Sequence, residues 1–182
     1  WIMGHARGVA DLSAAAARQA GLPEGDVVTL RRAGFVHDLG RLGVPNTIWD
    51  KRGSLTKPEM ERGRLHPYLT ERMLAFSTAL APLGAIAGQH HERLDGSGYP
   101  RGLTGPIIPP AGRILAAADS YHAMREGRPY RPARTAEEAA TELRRDVASG
   151  RHDGDAAGDR GQSGRHRRCA VGGPDIHAAD GR

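Results

Sequence analysis

Over residues 3–20, Val9, Leu12 and the alanines from Ala14 to Ala17 recur at the spacing of one helical face, and Gly21-Leu22-Pro23 supplies a stop. A second helix is expected over residues 24–39. It carries Val27, Val28, Leu30, Ala33, Phe35 and Val36, ends at Gly40, and holds His37 and Asp38 on its last turn. Residues 42–54 contain Pro45, Asn46 and Gly53 with no helical period, which predicts a loop. Thr56-Lys57-Pro58-Glu59 has the form of a capping box and opens a helix that should break near His66-Pro67. Residues 69–76 and 80–92 predict two more helices, the second delivering His90 and His91 from its final turn. The stretch 95–110, rich in Gly and Pro, predicts a loop. Residues 112–125 predict an apolar helix carrying Asp119, and a second capping box, Thr135-Ala136-Glu137-Glu138, opens a helix ending near Ser149-Gly150.

Composition agrees with this pattern. Aromatic residues make up only 4% of the chain, whereas Ala, Leu and Arg abound, so the expected fold is all-α. Beyond Gly150 the pattern stops. From position 151 to 182 the only branched aliphatic residues are Val171 and Ile176, and there are no aromatics. The expected organisation is therefore one domain over residues 1–150 and a disordered Gly/Arg-rich tail over 151–182. The tail reads either as an ordinary linker or as translation in a shifted frame.

The net charge of +5 permits a polyanionic partner, but the basic residues are scattered, so direct binding to DNA is not expected. A single cysteine, Cys169, excludes an internal disulfide framework. There is no apolar run of about 18 residues and no signal peptide, which predicts a soluble, cytoplasmic protein without a membrane partner. A start at Trp1 suggests a fragment.

Candidate chemistry sits at the expected helix ends. His5, His37, Asp38, His66, His90, His91 and Asp119 are seven imidazole or carboxylate groups, too many for one ion with an open position. Two divalent ions, iron or manganese with zinc as a further option, match a mixed shell of this kind. Neighbours such as His90 and His91 would point about 100° apart on an ideal helix, which suits two ions rather than one. Ions about 3.5–4 Å apart can share a hydroxide that attacks a phosphorus. Asp119 stands out, because an unpaired carboxylate within the apolar run from Leu115 to Ala118 would be costly to bury.

Five stretches together resemble the HD-GYP subgroup of the HD-domain phosphohydrolases. They are His37-Asp38-Leu39-Gly40, His66-Pro67-Tyr68, His90-His91-Glu92-Arg93-Leu94-Asp95-Gly96-Ser97-Gly98-Tyr99-Pro100, Ala118-Asp119 and Arg128-Pro129-Tyr130-Arg131. The resemblance implies an all-helical, metal-dependent phosphodiesterase that hydrolyses cyclic di-GMP to a linear dinucleotide or on to GMP. It also implies that the seven residues above are the metal ligands, with Asp38 and Arg41 at the reaction centre. Arg128 and Arg131 would hold substrate phosphates, and Gly98, Tyr99 and Pro100 would shape a loop that meets substrate or a diguanylate cyclase. A fused regulatory domain is a second implied partner.

The chain departs from the resembled pattern at three positions. Trp1 stands where three-metal members carry a glutamate, which points to two ions. Arg41 replaces a common lysine, and arginine stabilises an anion but is a poor proton donor. His122 replaces a usual aspartate on the helix face of Asp119. Two other functions therefore stay open: a weak or inactive regulatory sensor, and a general HD nucleotidase or phosphatase.

Overall fold

The computed structural model describes residues 2–127 and 132–158. Among these it is helical, with no strand beyond an isolated bridge between Asp95 and Thr104. The expected all-α fold is observed.

Helix α1 (Ile2–Gln19) and helix α2 (Glu24–Val36) form a hairpin. The turn closes as the Gly-Leu-Pro signal predicts: Gly21 takes φ +81°, its N–H donates to Arg18 O at 3.0 Å, and the Leu22 N–H donates to Ala17 O at 3.0 Å. These are the two bonds of a Schellman cap. Val9, Ala14, Ala17, Val27 and Leu30 line the inside of the hairpin and are buried. Against it lies α7 (Pro110–Arg125), whose Ile114, Leu115 and Ala116 to Ala118 are all buried. A helix enclosed this fully is apolar nearly all round, and the alanines let its neighbours approach closely. Helix α8 (Ala136–Ala148) covers α7 with Ala139 and Leu143.

The shorter helices α3 (Asn46–Trp49), α4 (Lys57–Gly63), α5 (His66–Leu74) and α6 (Ala81–Ala87) fill the other side, where Leu74, Leu83 and Ala87 pack on Ala33 of α2. Both capping boxes form: Thr56 Oγ1 accepts from the Glu59 N–H, and Thr135 Oγ1 from the Glu138 N–H, while each glutamate accepts from its threonine N–H at 2.7 Å.

Four expectations change. Helix α2 stops at Val36 rather than 39, and residues Leu39–Gly43 tighten into a 3-10 helix. The loop expected over 42–54 contains α3, a single turn too short to show a period. The helix expected over 80–92 ends at Ala87, so His90 and His91 lie in the turn that follows it. Packing also continues past Gly150. His152, Ala156 and Ala157 are buried, the Leu94 N–H donates to Arg151 O at 3.0 Å, and Arg113 pairs with Asp153 at 2.8 Å. The count of branched aliphatic residues overlooked the two alanines and a histidine that close this edge of the core. Residues 159–182 lie outside the described residues.

Candidate metal centre

Three of the candidate histidines are placed by the same local device. His37 follows the end of α2, His66 the end of α4 and His90 the end of α6. In each case the Nδ1–H donates at 2.7 Å to a carbonyl three residues back, on Gly34, Gly63 and Ala87 respectively. Each imidazole thus satisfies one of the carbonyls that a helix end leaves without an intrahelical partner. The consequence for chemistry is direct. With Nδ1–H committed to a carbonyl, Nε2, the atom whose lone pair can bind an ion, faces inward in each ring.

Those lone pairs converge. Nε2 of His66 and Nε2 of His90 lie 3.1 Å apart, and Asp38 Oδ1 stands 3.3 Å from the first and 3.7 Å from the second. His37 Nε2, fully buried and without a hydrogen-bond partner, lies 3.9 Å from Asp38 Oδ2 and 3.7 Å from Asp119 Oδ1. Asp119, from the middle of α7, faces His5 Nε2 at 3.1 Å through Oδ1 and His91 Nδ1 at 3.7 Å through Oδ2. The seven residues singled out from the sequence therefore form one continuous cluster. Within it, His66, His90 and His91 make one set of donor atoms, His5, His37 and Asp119 a second, and His37, Asp38 and His90 join the two, while behind His5 its Nδ1 meets Glu126 Oε2 at 3.0 Å and forms a further set with His122 and Glu126.

Electrostatics indicates what belongs between them. Burial pushes the His90 imidazole down to about 3, and burial likewise lowers His66 and His91. Burial alone would raise Asp119 and Asp38. The hydrogen bond from His5 and the surrounding imidazoles instead hold Asp119 well below the usual carboxylate range, and His37, His90, His66 and Arg41 hold Asp38 down. Two neutral imidazoles facing each other through lone pairs at 3.1 Å repel unless a cation lies between them. His66, His90 and His91 held neutral beside Asp38 and Asp119 held ionised are the protonation states that divalent ions require. The donor set thus fits metal.

The surroundings hold this shell in place. Thr70 of α5 is buried, accepts the Gly40 N–H at 2.8 Å and donates to His37 O at 2.8 Å, so it ties the His37-Asp38 turn to the helix that carries His66. Glu92, also buried, accepts the backbone N–H groups of Arg101 and Leu103 at 2.8 Å each. That carboxylate folds the Gly98-Tyr99-Pro100 loop back against the site. Gly98 is required there, because a Cβ would lie 2.4 Å from Arg93 N and 2.5 Å from Glu92 Cα. The Tyr99 N–H donates to His91 O at 3.1 Å and its ring lies 4.7 Å from that of His91. Burial pushes the Tyr99 phenol up to about 12, so it stays protonated and able to donate.

Arg41 points into the same space. Its Nη1 lies 3.7 Å from Asp38 Oδ2, and its guanidinium stacks on Trp49 at 4.0 Å from the ring centroid. The segment expected as a loop therefore supplies, through α3, the aromatic platform for the one cation expected at the reaction centre. Arg93 is held by His90 O, Glu92 O and Ser120 Oγ. Arg128, Arg131 and Trp1 lie outside the described residues.

Thr70, Trp49 and Glu126 were not anticipated from the sequence, and Glu92 stood in the quoted motif without a role assigned to it. For the histidines a signal was present: Gly34, Gly63 and Ala87 each stand three positions before a histidine, a spacing that puts a small residue at each helix end. Glu126 gave none, being one acidic residue just past an apolar helix.

Comparison with known proteins agrees with this geometry. A family model described as HD domain matches residues 1–156. A 3'3'-cGAMP-specific phosphodiesterase of Vibrio cholerae is 42% identical over 130 residues, which is 71% of this chain and 28% of that protein. A cyclic di-GMP phosphodiesterase of Thermotoga maritima is 43% identical over 141 residues, covering 76% of this chain and 38% of its own length. The chain thus spans well under half the length of these relatives. Among solved structures, an HDG"Y"P protein from Bdellovibrio bacteriovorus superposes with a TM-score of 0.68 at 22% identity, over 86% of this chain and 50% of that one. The HD domain of the L. monocytogenes phosphodiesterase PgpH, in complex with cyclic-di-AMP, gives a TM-score of 0.57 at 17% identity over 81% of this chain and 77% of that one. Both likenesses concern the fold.

Proposed function

This chain belongs to the HD-domain family, and on that premise we propose that it is the catalytic domain of a metal-dependent phosphodiesterase acting on cyclic di-GMP or a closely related cyclic dinucleotide. The observation that carries the reading is the buried shell in which His66 Nε2 and His90 Nε2 face each other beside Asp38. Support for the substrate class comes from relatives at about 40% identity whose names specify cyclic di-GMP or cGAMP. A second messenger is an intracellular molecule, so the reading places the domain in the cytoplasm.

His66, His90, His91 and Asp38 would hold one ion, and His5, His37 and Asp119 the other, with iron or manganese the choice that a mixed imidazole and carboxylate shell favours and zinc compatible with it. When bound, such ions supply Lewis-acid charge to the phosphodiester and an activated water. The chain's own residues do the rest. Arg41, stacked on Trp49, offsets negative charge developing beside Asp38. Arg128 and Arg131 are the proposed clamps for the substrate phosphates. Tyr99, braced against His91 and protonated, would donate a hydrogen bond to the substrate. That bracing also favours a role for the Gly98-Tyr99-Pro100 loop on the substrate side over docking of a cyclase.

The test is product analysis of the metal-loaded protein given cyclic di-GMP, cGAMP or GMP. Linear dinucleotide should form first from a cyclic substrate. Phosphate released from GMP with the cyclic substrates spared would show a nucleotidase, and binding of cyclic dinucleotide without turnover would show a sensor.

A further inference from the structure

We infer that Glu126 is the positioning residue that aims His5 at the metal centre; the inference rests on the metal-binding reading above. His37, His66 and His90 each commit Nδ1–H to a backbone carbonyl at a helix end. His5 lies inside α1, where that device is not used, and its Nδ1 instead meets Glu126 Oε2 at 3.0 Å while its Nε2 meets Asp119 Oδ1 at 3.1 Å. Glu126 therefore does for His5 what the carbonyls do for the others. It accepts the Nδ1–H, so that a ring giving up its Nε2 proton to an ion stays neutral with the Nε2 lone pair facing inward. A carboxylate behind a histidine ligand fixes the tautomer and ring orientation and makes the ligand more basic.

Helix stability does not explain the residue. Glu126 follows the last residue of α7, at the negative end of the helix dipole, where a carboxylate is disfavoured. The structure also builds a seat around it. One turn earlier, His122 places its Nδ1 3.2 Å from His5 Nδ1 and 3.5 Å from Glu126 Oε1. Its ring occupies the space above Gly8 of α1, where a Cβ would lie 1.8 Å from His122 Nε2. The imidazole at position 122 is thus wedged between α1 and α7, and its ring flanks the contact between Glu126 and His5.

The test compares wild type, Glu126→Ala and Glu126→Gln, each stripped of metal, with Mn2+ as the probe ion. Calorimetric titration should show two ions bound by all three. In Glu126→Ala one of the two should bind about 10–100-fold more weakly, and Glu126→Gln, whose amide oxygen still accepts the Nδ1 proton, should lose less. Nitrogen-15 spectra of the metal-free forms give a second readout: His5 Nδ1 should carry a proton in wild type and Glu126→Gln, beside the one Nε2 directs at Asp119, and should lose it in Glu126→Ala, where Asp119 alone holds the ring in its Nε2–H form. Thermal melts check that each variant is folded. Wild-type affinity and an unchanged proton on Nδ1 in Glu126→Ala would overturn the inference, as would a third ion bound by wild type and lost in the variant, since Glu126 would then be a ligand itself. No metal binding by wild type would instead overturn the metal-binding reading, and the nitrogen-15 spectra would still decide the role of Glu126.

Discussion

Acid should destabilise this domain through His152, and the size of the effect follows from its surroundings. The imidazole is 4% exposed, its Nε2 has no hydrogen-bond partner, and burial pushes it down from 6.5 to about 3. The unfolded chain takes up a proton on His152 as pH falls through about 6.5, whereas the folded chain resists until about 3. Between those values the unfolded state binds more protons, so stability is full above the window and is lost on the way down. At pH 5 the loss is about 1.5 pK units at 1.36 kcal/mol each, or about 2 kcal/mol. For a domain of this size that lowers Tm by roughly 4–8 °C. Metal-free wild type and His152→Leu melted at pH 7.5 and pH 5 provide the assay, since the buried histidines of the metal centre contribute equally to both. The Tm drop between the two pH values should be smaller in His152→Leu by about that amount. Equal drops would refute the burial of His152 and, with it, the packing of the segment beyond Gly150.

Asp38→Ala and His90→Ala each remove a donor that faces His66 Nε2, so both should lose bound metal, measured by elemental analysis, together with hydrolysis of cyclic di-GMP. Full metal content and full rate in either variant would remove that residue from the shell. Trp49→Leu deletes the platform under Arg41. With cation–π stacking worth about 0.5–2 kcal/mol, kcat/KM should fall roughly twofold to thirtyfold in steady-state assays with folding intact. An unchanged kcat/KM would mean that Arg41 is placed without Trp49.

Features with a local cause are legible in the order of the amino acids. Thr56 with Glu59 and Thr135 with Glu138 are reciprocal bonds between residues three apart, so both helix starts appear where the capping boxes place them. Asp119 is legible through cost: a carboxylate in an otherwise apolar helix needs partners, and it has His5, His37 and His91. Features with a tertiary cause are not. The helix over 80–92 stops at Ala87 because the His90 ring takes the Ala87 carbonyl and turns both histidines inward, a competition that apolar periodicity does not register. Glu126 reaches His5 across a separation of 121 positions. Its place bears on the departure at position 122, since the negative charge that His122 cannot supply is provided one turn later.

The most direct test of a two-ion phosphodiesterase centre is to titrate metal-stripped protein with Mn2+ while following cyclic di-GMP hydrolysis in the same samples. Turnover should be negligible in the stripped protein, rise with bound metal and level off at two ions per chain. Undiminished turnover after stripping, or a plateau at one ion, would contradict the assignment of His5, His37, Asp38, His66, His90, His91 and Asp119 to a shared metal shell.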